Sequence, residues 1–497
     1  MLTLLGLGPG NANLLTREAW DVLTTAQQTQ QAVYLRTRKH PTVQDLPPNL
    51  MLHDFDALYD SADNFAAVYA HITATIMTKA QQGDVIYAVP GHPLVGESTA
   101  PAILAQAQQL GIAVRIVSGL SFIEPSLETI ALAASTSSQQ LLALDPINGL
   151  QLCDALELAA KHHPPINPDR PALIAQIYSR AVASDVKLTL MNQYPPEHEL
   201  VIVGDKTARR VNLYALDHGD YFDHLTSLYV TALPHIGSFE ALQETIAHLR
   251  APEGCPWDRE QTHQSLRTTL REEAYEVLDA IDRDDMDDLK EELGDLLLNV
   301  ILQAQIATEE DYFRSSDMVA SINAKLKRRH PHVFGDVQAN TAGEVSVNWE
   351  KIKQQENAAK AKDKRKSTLD GIVRDLPALA RAQKMVHRVV KQGFDWDSDS
   401  VGVAQRAAKV REELDEVLSA ENEAHRAEEL GDLIFATCVL VDGYGVDAES
   451  ALREACLKFE RRYRVLEHNV ITRQLDMKKM KSEQIDALWR EAKHATS

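Results

Sequence analysis

EEAYEVLDAIDRDDMDDLKEELGD, residues 272–295, reads as two amphipathic helices joined by a short acidic turn. Ala274, Val277, Leu278 and Ile281 share one stripe of the first helix, and Leu289, Leu293, Leu296 and Val300 share one along the second. Both stripes are expected to be buried. Glu273 borders the first stripe with Glu276 just behind it, and Glu292 and Asp295 border the second. Folding the helices back to back brings these carboxylates together. Like charges at i, i+3 or i+4 cost a helix about 0.2–0.5 kcal/mol per pair, and more when partly buried, so the cluster asks for a compensating cation. A hard divalent ion, Mg²⁺ first, suits such oxygen ligands.

The chain around this stretch has 497 residues, which predicts two or three domains. A hydrophobic content of 44% supports globular domains, and a net charge of −21 argues against nucleic acid as a partner, because phosphate-backbone binding needs Lys/Arg surfaces. Any phosphate ligand then needs metal ions or local Lys/Arg. Cys153, Cys255, Cys438 and Cys456 are widely separated, with no CxxC or Cys/His cluster, which argues against a disulfide framework or a zinc site. The start, MLTLLGLGPG, lacks a basic segment and soon runs into glycines, and no apolar run approaches the roughly 18 residues of a membrane span. The expectation is a soluble cytoplasmic protein with no membrane partner.

LTLLGL (2–7), AVYLR (32–36), DVIYAV (84–89) and AVRIV (113–117) read as buried strands, with helices over about 17–27, 64–82 and 98–110. Thr16 is the expected N-cap of the first helix. That alternation predicts a mainly parallel sheet, and ligands bind at loops on the carboxyl ends of such strands. Two of those loops are unusual: Gly6, Gly8 and Gly10 with Pro9, and Pro90-Gly91-His92-Pro93. Glycine lets a ligand approach the backbone and proline fixes the loop's shape, although an ordinary strand-to-helix turn has the same composition. Past Gly149 a helix near 151–162, a strand at 171–178, a helix near 182–193 and strands at 199–204 and 210–216 indicate a second α/β lobe. TALPHIGS (231–238) reads as a link, and from Phe239 onward strands nearly vanish.

The all-helical half repeats the opening stretch. Gly254-Cys-Pro-Trp-Asp258 corresponds to Gly393-Phe-Asp-Trp-Asp397, and Glu272–Glu276 to Glu412–Glu416. Glu291–Leu296 is matched letter for letter by Glu428–Leu433, Asn323–Arg329 lines up with Cys456–Arg462, and Trp349-x-x-x-Lys353 with Trp489-x-x-x-Lys493. The order is constant, and small loop insertions account for a spacing that drifts by a few residues. A single acidic motif is easily a solvated helix face; a series of matched elements in order is not. Lys325 and Arg329 share a helix face, as do Lys458 and Arg462, giving each repeat a cationic pair to set against its carboxylates. Trp349 and Trp489 fit either a core position or ligand stacking. The Lys-rich run 350–368 reads as an exposed helix end and linker.

On these motifs residues 239–497 resemble the MazG family of nucleoside triphosphate pyrophosphohydrolases, with KRRHPHVF (327–334) and the CPWD stretch also in place. Residues 1–230 resemble the tetrapyrrole methylases, through GLGPG, YAVPGHPLVGE (87–97) and SGLSF (118–122). The pairing is similar to YabN-like fusion proteins. The resemblance implies a multidomain chain: an α/β methylase-like domain of two lobes (1–230) and an all-α tandem MazG bundle (239–357 and 369–497). It implies Mg²⁺ ligands Glu273, Glu276, Glu292 and Asp295 in the first repeat and Glu413, Glu416, Glu429 and Asp432 in the second. The implied reaction converts nucleoside triphosphate and water to monophosphate and pyrophosphate. Glu272 or Glu412 would position the water or act as base, and Lys325, Arg329 and Lys353, with Lys458, Arg462 and Lys493, would hold the phosphates. S-adenosylmethionine would lie against Gly8, Pro9, Gly91, His92, Pro93, Ser121 and Phe122. The chain departs from these families at Cys456, where Asn is frequent and the first repeat keeps Asn323, and at His92, where many methylases are acidic. Asn323 favours the first repeat as the working centre, and His92 leaves the methylase half without an evident base. Two competing readings stay open: a hydrolase whose methylase half only senses S-adenosylmethionine, and a non-enzymatic helical oligomerisation module. A homodimer is expected, because two-helix units need further helices to complete a bundle.

Overall fold

The computed structural model describes residues 1–61, 64–135, 149–204, 206–361, 367–394 and 400–496. These form two compact units, Met1–Val319 and Ala320–Ser497.

The first unit begins with five strands, β1 (Leu2–Gly6), β2 (Ala32–Leu35), β3 (Met51–Asp54), β4 (Val85–Val89) and β5 (Val114–Val117). They lie in the order β3-β2-β4-β1-β5, all parallel. Every residue of β1 and β4 is buried, as a parallel sheet covered on both faces requires. Alternate side chains feed opposite faces: Leu4, Val85 and Tyr87 pack with Ile72, Ile76 and Ile103, while Leu5, Ile86 and Ala88 pack with Leu23 and Val33. Thr16 caps the helix Arg17–Thr29 by accepting from the Ala19 N–H at 3.2 Å. The expected strands form; β3 is an unexpected edge strand, legible only weakly because three of its four residues are exposed.

A second sheet is built from β6 (Gln151–Asp154), β7 (Ala172–Ala175), β8 (Glu199–Gly204), β9 (Thr207–Asn212) and β10 (Ser227–Val230), in the order β6-β7-β10-β8-β9. Only β6 and β7 are parallel. The helix expected near 151–162 is replaced by β6 and a short helix, Ala155–Ala159. Asp154 accepts from the N–H groups of Leu156 and Glu157 and so delays the helix start, freeing QLCD to pair with β7. The central, fully buried β10 is the larger omission. The link at 231–238 is tied to the second lobe by Asp169, which accepts from the N–H groups of Gly237 and Ser238.

Among the described residues no strand follows Val230. In the first unit the helices Arg267–Arg283 and Met286–Glu309 form the predicted hairpin. Asp284 turns the chain with a left-handed φ of 55°, and Asp285 caps the second helix by accepting from the Asp288 N–H. The apolar stripes differ from expectation: Leu278, Ile281 and Leu293 are 38%, 52% and 48% exposed. Burial concentrates instead on Ile301, Leu302 and Ile306 with Ile246 and Leu266. In the second unit Ser400–Ser419 and Glu423–Gly443 form the counterpart hairpin, followed by Ala448–Thr472 and Ser482–Ala495. The Lys-rich run is helical through Ala361, the end of the helix Ala342–Ala361, while 362–366 and 395–397 of the second GFDWD motif lie outside the described residues. None of the described helices is long and apolar enough to cross a membrane.

Two predictions follow from the N-terminal half. A Cβ on Gly119 would sit 2.3 Å from the Gly91 carbonyl oxygen and 3.0 Å from the Gly6 backbone. Gly119→Ala is expected to cost about 1–3 kcal/mol, read as a lower calorimetric unfolding midpoint of this half. His40 is 3% exposed, and burial, with a smaller contribution from His224, lowers its pKa to about 4. The unfolded chain takes up this proton near pH 6.5, so stability is lost as pH falls from about 6.5 to about 4. His40→Gln should make that decline shallower in a pH series of thermal melts.

Candidate functional site

In the first hairpin, carboxylate oxygens of Glu273, Glu276 and Glu292 lie within 4.8 Å of one another. Helical spacing puts the first two on one side of Arg267–Arg283, and the tight Asp284–Asp285 turn sets the second helix against that side. Partial desolvation, then Asp295, Glu276 and Glu292, raise the pKa of Glu273; desolvation, then Glu276, Asp288 and Asp295, raise that of Glu292. Asp295 is half-buried and acts on Glu273 electrostatically while standing outside the tight group of three. The charges that act most strongly on this cluster are therefore other carboxylates, an arrangement that stores repulsion. Glu272 is exposed on the neighbouring face.

The second hairpin assembles Glu413, Glu416 and Glu429 within the same limit, with exposed Asp432 outside it. Glu413 is 6% exposed, and desolvation followed by Glu413 and Glu429 raises the pKa of Glu416. Here the protein supplies part of the compensation. The Lys409 ammonium lies 2.8 Å from Glu413 and 2.9 Å from Glu412, and His425 Nε2 lies 3.0 Å from Glu429. The matching positions of the first repeat are Thr269 and Asp288. Lys409 and His425 went unread in the sequence, although each stands four residues before its glutamate, a spacing that brings side chains together on a helix.

The predicted cations also differ between repeats. Arg329 donates to Glu356 Oε2 from Nε at 3.1 Å and from a terminal nitrogen at 2.6 Å, while Arg328 Nε donates to Oε1 at 2.7 Å. Those bonds, Arg329 first, hold the Glu356 pKa down at about 2. The Arg329 guanidinium lies 5.1 Å from the Trp349 ring centre and the Lys353 ammonium 4.7 Å from it. Trp349 is thus a cation platform, whereas Trp489 packs on Phe459 with ring centres 5.3 Å apart and on the core of Leu466 and Leu488. Lys325 is half-buried, Lys458 and Lys493 are exposed, and the buried Arg462 Nε has no hydrogen-bond partner. Cys456 is exposed.

In the N-terminal half the two unusual loops meet at the carboxyl edge of the sheet. Gly8 and Gly91 exchange backbone hydrogen bonds of 3.2 and 2.8 Å. Gly6, Gly91 and Gly119 touch backbone to backbone, so at Gly6 the missing side chain admits another loop and not a ligand. Buried Pro93 and half-buried Pro9 sit in these loops. His92 Nδ1 accepts from the Leu94 N–H at 3.1 Å, and Ser121 donates to Glu124 at 2.7 Å while accepting from the Ile123 N–H. Both side chains shape their own loops. Phe122 packs beneath the second sheet with Ile130 and Tyr229. The reading missed a buried network at this edge. Arg36, just past β2, pairs with Glu97 and bonds Tyr59 and Tyr69, and Glu97 also accepts from the Thr99 N–H at 2.8 Å. Burial opposes the Arg36 charge, but Glu97 and the two tyrosines outweigh it and raise the pKa. A charged residue directly after a buried strand was the available signal.

Family comparisons agree with this division. The tetrapyrrole (corrin/porphyrin) methylases match residues 1–215, the MazG nucleotide pyrophosphohydrolase domain matches 261–334, and phosphoribosyl-ATP pyrophosphohydrolase matches 385–457. The protein YabN of Bacillus subtilis is 36% identical over 99% of this chain and 98% of its own length. The nucleoside triphosphate pyrophosphohydrolase of Escherichia coli K12 is 45% identical over 52% of this chain and 98% of its own. A nucleoside triphosphate pyrophosphohydrolase/pyrophosphatase MazG of Thermotoga maritima is 43% identical over 51% of this chain and 95% of its own. The chain therefore belongs to the YabN family, joining a tetrapyrrole-methylase-type domain to MazG-type helical domains.

Proposed function

We propose that the chain is a Mg²⁺-dependent nucleoside triphosphate pyrophosphohydrolase, over 239–357 and 369–497, joined to an S-adenosylmethionine-binding domain over 1–230. The observation that carries this reading is the pair of three-carboxylate clusters, each within 4.8 Å. All-oxygen donors with pKa values raised by desolvation and then by mutual repulsion suit a hard divalent ion. When bound, such an ion binds phosphate oxygens, acidifies a water and offsets charge as the α–β phosphate bridge breaks. The chain's residues do the rest. Glu273, Glu276 and Glu292, with Asp295 behind them, hold the ion in the first repeat, and Glu413, Glu416, Glu429 and Asp432 hold it in the second. Glu272, or Glu412 steadied by Lys409, orients the attacking water and takes its proton. Lys325, Arg329 and Lys353, with Lys458, Arg462 and Lys493, bind the phosphates. Exposed Leu278, Ile281 and Leu293, with Leu418 and Ile434 in the second hairpin, supply apolar surface for a homodimer.

In the N-terminal half, S-adenosylmethionine lies against the Gly8–Pro9, Gly91–Pro93 and Ser121–Phe122 loops. A sensing role without methyl transfer is favoured by one observation: His92 and Ser121 are already engaged in holding their loops.

A panel of nucleoside triphosphates with Mg²⁺ should give monophosphate and pyrophosphate and no orthophosphate, and chelator should stop the reaction. Orthophosphate as sole product would refute the mechanism. Glu292→Gln combined with Glu429→Gln removes a proposed metal ligand from each cluster and should lower turnover about a hundredfold or more, with the circular dichroism unchanged. Calorimetric titration with S-adenosylmethionine should show saturable heat that Gly91→Val removes; heat of dilution alone would exclude the cofactor reading.

A further inference from the structure

Glu356 lies on the helix Ala342–Ala361 beyond the segment matched by the MazG family, in a Lys-rich run whose sequence suggests an exposed helix end and linker. Its surroundings are those of a bound anion. Arg328 donates to one carboxylate oxygen and Arg329 to the other, at 2.6–3.1 Å. Arg329 and Lys353 are both stationed over Trp349, and the Glu356 side chain is 13% exposed. Two guanidinium forks converging on a pair of oxygens form the geometry that also receives a phosphate. Among the described residues of the second repeat no such occupant is found. The position matching Glu356 is Thr496, whose hydroxyl donates to Ala492 O on its own helix, and the matching arginine, Arg462, keeps an unpartnered buried Nε.

We infer that Glu356 is a resident anion in a phosphate site formed by Arg328, Arg329 and Lys353 on Trp349, and that a di- or triphosphate tail must displace it to bind the first repeat. The inference rests on the assignment of Arg329 and Lys353 to phosphate binding and adds Arg328 and Trp349 to that site. Displacement exchanges one set of charge-assisted hydrogen bonds for another, so the carboxylate acts as an intramolecular competitor at high effective concentration. The apparent affinity of the first repeat is reduced by the fraction of time Glu356 occupies the site. Glu356 contributes no group to the hydrolysis itself.

The test uses the full chain carrying Arg462→Gln, which disables the matching site of the second repeat, titrated calorimetrically with inorganic tripolyphosphate. Adding Glu356→Gln should tighten binding about tenfold or more, the scale of losing one charge-assisted contact from the competing state. Glu356→Thr introduces the residue found at the matching position of the second repeat and should act in the same direction. Glu344→Gln removes an equal charge from the same helix, away from the arginines, and should change affinity less than about twofold. Arg329→Gln added to Glu356→Gln should abolish the gain. Unchanged affinity on removing Glu356, an equal gain from Glu344→Gln, or a gain that survives Arg329→Gln would each overturn the inference. Tripolyphosphate is not hydrolysed as a nucleotide, so a chain that binds it as expected but releases no pyrophosphate from nucleotides would separate failure of the hydrolase reading from failure of this one.

Discussion

Repulsion among carboxylates on two facing helices is the constraint around which the helical half is arranged. The Asp284–Asp285 turn in the first hairpin, and the short turn ending at the Asn422 cap in the second, set two helices side by side so that their acidic side chains face one another. In water such a cluster would spread apart; on helices joined by a short turn it cannot. The raised pKa values of Glu273, Glu292 and Glu416 register that confinement. A site that is electrostatically unfavourable when empty gains more on taking up a cation, and an ion held by part of its coordination sphere has positions left for phosphate and water.

The N-terminal half obeys a different constraint, the contact of three backbones at the carboxyl edge of the sheet. Gly6, Gly91 and Gly119 stand at the ends of β1, β4 and β5, and hydrogen bonds between Gly8 and Gly91 lock two loops together. The surface on that edge is thus fixed by contacts of the backbone itself. The Arg36–Glu97 pair and its tyrosines stiffen the same edge from β2 and β4.

Periodicity and capping made much of this legible. Thr16, the hairpin at 272–295 and the strands of the first sheet follow from local rules: a side-chain cap, a stripe at helical spacing, a run of buried apolar residues. What escaped was set by distant partners. SLYV (227–230) is an ordinary short run whose central place in the second sheet depends on pairing with β7 and β8. QLCD reads as helix until the Asp154 cap is seen to start the helix later. In the site, residue spacing foretold the meeting of Glu273, Glu276 and Glu292, since these lie on consecutive helices. It did not foretell Glu356, because a glutamate in a Lys-rich stretch becomes informative only when two arginines from another helix reach it.

The duplicated units have diverged in how they balance charge, and the direction differs between their two halves. In the first repeat the acidic cluster lacks the lysine and histidine that the second repeat provides, while its arginines are capped by Glu356. In the second, the carboxylates lean on Lys409 and His425, while the position that matches Glu356 in sequence is Thr496 and the Arg462 Nε has no hydrogen-bond partner. The acidic cluster of the first repeat has fewer cationic neighbours, and the arginine of the second has no glutamate at the matching position. Identical EELGDL segments therefore do not make identical sites: a ligand motif fixes where donors stand, whereas the charges four residues away fix what those donors must give up to bind.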